Sequence, residues 1–444
     1  GVQSKAGGDY AVIGGGWANT ISGDYSTIIT GRDNAVSGFY ATVAGGQSQS
    51  VSGKYGVVAG GFRNSALAYT AVVVGGQSNS VTGTGATIVG GDGHFAGATY
   101  STVGGGQANI ASGTWSTVVG GIDNAAEAQQ ATVVGGLTNT AVGFESVVIG
   151  GEQNIANGYK TSIGGGQANT ATAAYAVIAG GHDNTCGQES AIVGGAWNVA
   201  GYQGSVTGGS WNTASAQNSA VGGGSNNIAA DLHTVVSGGS DNRAAGYYAA
   251  VGGGWTNSAL ANFASVGGGN QNKAGVPNAF VGGGRRNTNF GPSGSIMGGS
   301  DNTVAAYEAT IGGGSWNKGT GYRAVVSGGY YNTASGAIGA VVGGGWNRVG
   351  GSLGVVGGGS WNRASQDHAT VVGGNRNFAA NSEAVVSGGA WNTAVAAQST
   401  IGGGWRNRAS SYQAVVVGGS WQTASGPYST IGGGWYNAAT NQES

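Results

Sequence analysis

The chain has 444 residues, of which 98 are Gly and only 3 Pro, with 7% charged residues and a formal net charge of −1. Gly at this frequency without a strict G-X-Y period excludes collagen, and 39% apolar residues with Val and Ile at a fixed period exclude disorder. A near-neutral chain with scattered Lys and Arg has no field to steer nucleic acid or anionic membrane, and no apolar run approaches the roughly 20 residues of a bilayer span, so neither partner is expected.

The chain opens GVQSKAGG, with neither an initiator Met nor a signal-peptide pattern, and reads as a mature or trimmed form. From there a single template accounts for nearly every residue. Its clearest statement is Ala131–Asn154, ATVVGGLTNTAVGFESVVIGGEQN, in which Asn139 and Asn154 lie fifteen residues apart. The Asn column, position 0 below, runs from Asn19 through Asn124, Asn139, Asn154, Asn169 and Asn184 to Asn437. Spacing tightens to fourteen at Asn198 and Asn212, and only Gln49, His94 and Gln422 replace Asn among 29 positions. Position −6 is always Val or Ile, position −8 is always Ala, Ser, Gly or Thr, and position +2 is usually small and apolar.

Fifteen residues are too few for helix-pair repeats or propeller blades, and Gly pairs between β-branched runs disfavour helices. The pattern predicts an all-β fold, one continuous parallel β-solenoid over residues 1–444 with about two short strands per coil. Gly-Gly is read as the tight corner. Positions −8, −6 and +2 fill the lumen, and the Asn side chains bond up and down a structural ladder in the left-handed conformation. At roughly 4.8 Å per coil, 29 coils would make a rod of about 140 Å.

Positions −7 and −5 point away from that lumen, yet are often apolar, as at Val72 and Val74, Val147 and Ile149, and Val415 and Val417. A strand apolar on both faces is usually covered on both, so the expected partner is another copy of the chain. The repeats run from Ser4 to Ala439 without evident caps, so either the chain is trimmed, a partner covers its ends, or rods stack head to tail.

Ser146–Gly158, SVVIGGEQNIANG, resembles the head repeat of trimeric autotransporter adhesins, a Ser-Val-Ala-Ile-Gly strand followed by small polar residues and Ala. The resemblance covers almost the whole chain. It implies left-handed parallel β-rolls that trimerise along the strand face and bind host or matrix surfaces. The repeat here is one residue longer, Gly-Gly replaces a single Gly, the constant apolar residue lies one position earlier, and no stalk or barrel anchor is expected.

Catalytic and metal patterns are missing. Asp33, Asp123, Asp183, Asp241 and Asp301 precede the Asn column, but never in adjacent coils as a calcium ladder requires, and read as turn caps. His94, His182, His233 and His368 are too far apart in coil number to share a metal or a triad, and Cys186 stands in the inward +2 column. No enzyme activity and no cofactor are expected. Tyr10, Tyr25, Tyr40 and Tyr55 form one aromatic column, and Trp316, Trp346, Trp361, Trp391, Trp405, Trp421 and Trp435 fall one or two residues before the Asn column. Some neighbour Arg, as in Trp346-Asn347-Arg348. This strip is a candidate contact between rods, where Trp, Tyr and Arg are enriched, or a glycan-binding surface. Thr87, Thr102, Thr117 and Thr132 resemble the Thr arrays of ice-binding solenoids. The reading from sequence is a secreted or cell-surface structural fibre that assembles with itself, with an adhesin head as the alternative and an ice-binding protein behind it.

Overall fold

The computed structural model describes residues 1–441. The chain falls into two units, Gly1–Asn218 with Gly222–Gly224, and Ser219–Val221 with Ser225–Ser444. Each is a parallel β-solenoid with no helix among the described residues, and together they hold about 29 coils roughly 15 residues apart.

Each coil carries two strands of two residues, at −7/−6 and at +1/+2, as in Thr132–Val133 and Thr140–Ala141. Each strand pairs parallel and in register with its counterpart one coil on, Thr132 with Val147 and Thr140 with Ile155. These stacks are called here the first and second sheets. A third line of single bridges runs along position −2, as in Ile122 to Leu137 to Glu152.

The strands are short because two residues in each regular coil, besides the second Gly of the pair, are left-handed. In the coil of Asn139 they are Thr138 (φ 56°) and Glu145 (φ 54°), at −1 and +6. Left-handed conformation costs a non-Gly residue about 1–2 kcal/mol, so the columns stand only because neighbouring coils hold them. The Thr138 N–H turns back to the Ile122 carbonyl at 2.9 Å, whereas the Leu137 N–H before it reaches forward to Gly151 at 2.9 Å. At the other corner Ser146 N–H donates to Gly143 O at 3.0 Å, closing a four-residue turn with positive φ at its third residue, as type II turns require. The expected left-handed Asn is therefore overturned: the Asn column has negative φ, and the residue before each Asn turns instead.

The Gly pair also divides unequally. A Cβ on Gly136 (φ 98°) would lie 2.1 Å from the Gly151 carbonyl oxygen and 2.4 Å from Asn139 Nδ2, so no side chain fits. A Cβ on Gly135 would meet nothing within 4 Å, and Thr30 occupies the equivalent place in another coil. Only the second Gly makes the corner.

The lumen is built as the alternation predicts. Ala131, Val133 and Ala141 are fully buried, while Thr132 and Thr140 between them are half-buried on the outside. Large and small residues compensate across it: Val51 faces Gly56, where a Cβ would come within 2.7 Å of Val51 Cγ1, and Val349 faces Gly339 at 2.8 Å. The two fourteen-residue coils lose their residue from the outer loop, at Gly187–Glu189 and at Gly201–Gln203, so the strands and the Asn column pass through unshifted.

Candidate functional site

The Asn ladder is the most regular polar feature. Asn124, Asn139, Asn154, Asn169 and Asn184 are all fully buried. Asn139 Nδ2 donates to Gly135 O in its own coil at 2.9 Å and to Gly151 O in the next at 2.8 Å. Its Oδ1 accepts the Asn154 backbone N–H at 3.0 Å. The ladder thus runs mainly from side chain to backbone. Amide-to-amide bonds occur in a few coils, as from Asn154 Nδ2 to Asn139 Oδ1 at 3.1 Å. Three substitutions break it in the same way. Gln49, His94 and Gln422 still accept the next backbone N–H through Oε1 or Nδ1, but each leaves a buried nitrogen without a hydrogen bond of normal geometry. The His94 Nε2 faces the Gly106 carbonyl, and burial holds the imidazole below the usual histidine range.

The aromatic strip follows from the left-handed columns. Trp316, Trp346, Trp361, Trp391 and Trp421 are left-handed residues at −1, which turns their side chains out along the corner. Trp316, Tyr331, Trp346 and Trp361 form a continuous stack, with centroids 5.7, 5.5 and 5.0 Å apart and planes within 4°. Further on, the Arg406 guanidinium lies 4.5 Å from the Trp405 ring, 4.5 Å from Trp421 and 5.8 Å from Trp391, and Arg376 lies 4.3 Å from Trp391. Trp421 continues onto Tyr436 at 5.5 Å, and Trp435, at −2, packs on Tyr436 at 5.6 Å. Trp as the marker leaves out Tyr331, Arg376 and Tyr436, which occupy position −1 with the Trp residues and with Arg406 of the Trp405-Arg406-Asn407-Arg408 run. Within the stack each ring faces the ring of the next coil, so its edges rather than its faces meet solvent. Tyr10, Tyr25, Tyr40 and Tyr55 stack similarly at the other corner, 4.8, 4.9 and 5.4 Å apart.

The outer face of the first sheet is different in kind. Positions −7 and −5 hold no Asp, Glu, Lys or Arg in any of the 29 coils. Val119, Val134 and Ile149 follow one another at −5 and are 53%, 42% and 54% exposed, beside half-buried Thr117, Thr132 and Val147. Thr87, Thr102, Thr117 and Thr132 stand in register on the same face.

The remaining reactive groups are dispersed. Among the described residues no three His, Cys, Asp or Glu side chains gather to hold a metal. Cys186 is buried with its Sγ 2.9 Å from Ser190 Oγ, and burial pushes the thiol pKa up. The Asp residues at −1 are left-handed, and Asp33, Asp183, Asp241 and Asp301 bond to side chains, as Asp301 does to Arg286 at 2.8 Å. No helix is long and apolar enough to cross a membrane among the described residues. No family model and no curated protein matches the chain. The likeness to adhesin heads therefore rests on the repeat motif and on the stacked parallel coils.

Proposed function

We propose that the protein is a non-catalytic structural protein, secreted or carried on a cell surface, that assembles with copies of itself into fibres. The uncharged outer face of the first sheet carries this reading, because rows of half-exposed Val and Ile without one charge are what an interface core needs and what a solvated face lacks. A second copy is the fitting occupant. Its identical columns repeat at the same interval of roughly 4.8 Å, so two such faces mesh coil against coil.

The test is a triple variant, Val119→Lys/Val134→Lys/Ile149→Lys, compared with the wild-type chain by light scattering and electron microscopy. Assemblies of the wild type and unassembled variant with unchanged β-sheet circular dichroism are expected. A wild-type chain that stays monomeric, or a variant that assembles equally well, would remove the basis for the proposal.

The repeat motif favours one alternative, a trimeric adhesin head using the same face and binding glycans through the Trp strip. That head would measure three chains and would lose ligand, but keep assembly, on Trp346→Ala/Trp361→Ala/Trp391→Ala.

A further inference from the structure

Net neutrality hides a division of charge. The Gly1–Asn218 unit carries five Lys and Arg against ten Asp and Glu, a formal −5, whereas the Ser225–Ser444 unit carries eleven against seven, a formal +4. The basic residues of the second unit are concentrated. Arg243, Lys273, Lys318, Arg348, Arg363 and Arg408 all occupy position +1, on the outer face of the second sheet, where the first unit has only Lys5. Five of the six are exposed and Lys273 is half-buried.

In-register pairing fixes them in one straight row. Arg243 is followed by Ser258, Lys273, Thr288, Thr303, Lys318, Thr333, and then by Arg348 directly against Arg363. At roughly 4.8 Å per coil the row from Arg243 to Arg408 spans about 50 Å. Positions +1 and +3 of this unit contain no acid, and none of the six cations makes an ion pair among the described residues. Like charges directly opposite one another destabilise a sheet. The Arg363 guanidinium lies 5.2 Å from the Phe378 ring of the next coil, but no acid offsets its charge against Arg348, and Ser or Thr fills the same column in many coils at no such cost.

We propose that this row binds an extended acidic polysaccharide. Cations at intervals of one to three coils match carboxylates or sulfates along a ribbon-like chain, and the Ser and Thr hydroxyls between them supply partners for sugar hydroxyls. Single-stranded nucleic acid fits less well, because its bases need open aromatic faces: the rings at the adjoining corner are turned toward one another, and on the face itself Lys273 lies over Phe290 and Arg363 over Phe378. The row lies on the second sheet and is independent of the proposed assembly face on the first.

The test uses the full chain with alginate and heparin oligosaccharides, with neutral dextran, poly(dT) and phosphatidylserine vesicles alongside. Binding to both acidic polysaccharides and not to dextran is expected, weakening about tenfold or more between about 50 and 200 mM salt. Arg348→Ser/Arg363→Ser should lower affinity about tenfold without lowering the melting temperature. Arg376→Gln/Arg406→Gln removes the same charge from the corner and should change affinity less than twofold. Equal losses in the two double variants would reduce the effect to net charge and overturn the site. So would the absence of polysaccharide binding, or tighter binding of poly(dT) or vesicles.

Discussion

Asn154 donates its backbone N–H to the Oδ1 of Asn139 at 3.0 Å, and that contact recurs between adjacent Asn residues along both units. A side chain thereby takes the place of a backbone carbonyl in the stacking of coils. Asn139→Leu would leave the Asn154 N–H and the Gly135 carbonyl without this partner inside the protein, whereas the Gly151 carbonyl keeps the Leu137 N–H. A cost of about 3 kcal/mol or more is expected, at about 1–3 kcal/mol for each orphaned group. Hydrogen exchange should report it as opening confined to the coils of Asn139 and Asn154, because a repeat protein opens locally.

Where the ladder is already broken, repair should stabilise. His94→Asn restores both donors of the side chain, with a gain of about 1 kcal/mol expected in neutral buffer. The variant should also lose a pH dependence. The folded His94 imidazole titrates below its ordinary value of 6.5, so above that pH neither state is protonated and stability is intact. As pH falls below 6.5 the unfolded chain takes up a proton that the folded chain refuses, and stability drops until the folded group titrates. Thermal melts from neutral to mildly acid pH should show a steeper fall for wild type than for His94→Asn.

The two glycines of a pair should respond oppositely. Gly135→Ser, with open space around its Cβ, should leave the melting temperature nearly unchanged. Gly136→Ala places a Cβ 2.1 Å from the Gly151 oxygen and should open that corner, visible as new protease cleavage near residues 136–151.

Much of this was legible in the sequence, and the rest was hidden for physical reasons. A lumen filled at a fixed period declares itself, so Val133 and Ala141 could be placed inward from spacing alone, and the Asn column could be read as a ladder. The left-handed turn could not be placed, because position −1 holds Trp, Asp, Arg, Ala and other residue types, and the Gly or Asn that usually mark positive φ stand there only at Gly93 and Asn226. The same blindness separated Trp346 and Trp361 from Tyr331 and Arg376, which share their column but not their residue type. The basic row escaped because Arg348 and Arg363 are fifteen residues apart in the chain and adjacent only once coils stack.

Neighbouring valines test the register of the first sheet. Val236 is fully buried and Val235 beside it is 41% exposed. Val236→Asp would bury an unpaired carboxylate in an apolar lumen and should cost more than about 3 kcal/mol. Val235→Asp should leave the coil folded. Equal effects of the two on thermal unfolding would mean the faces are assigned wrongly.

Self-assembly through the uncharged face is tested most directly by cryo-electron microscopy of the full chain in physiological salt. Density from a second copy lying along Val119, Val134 and Ile149, coil against coil, is the predicted result. Single chains with that face bare to solvent, at concentrations where the protein is otherwise intact, would contradict it.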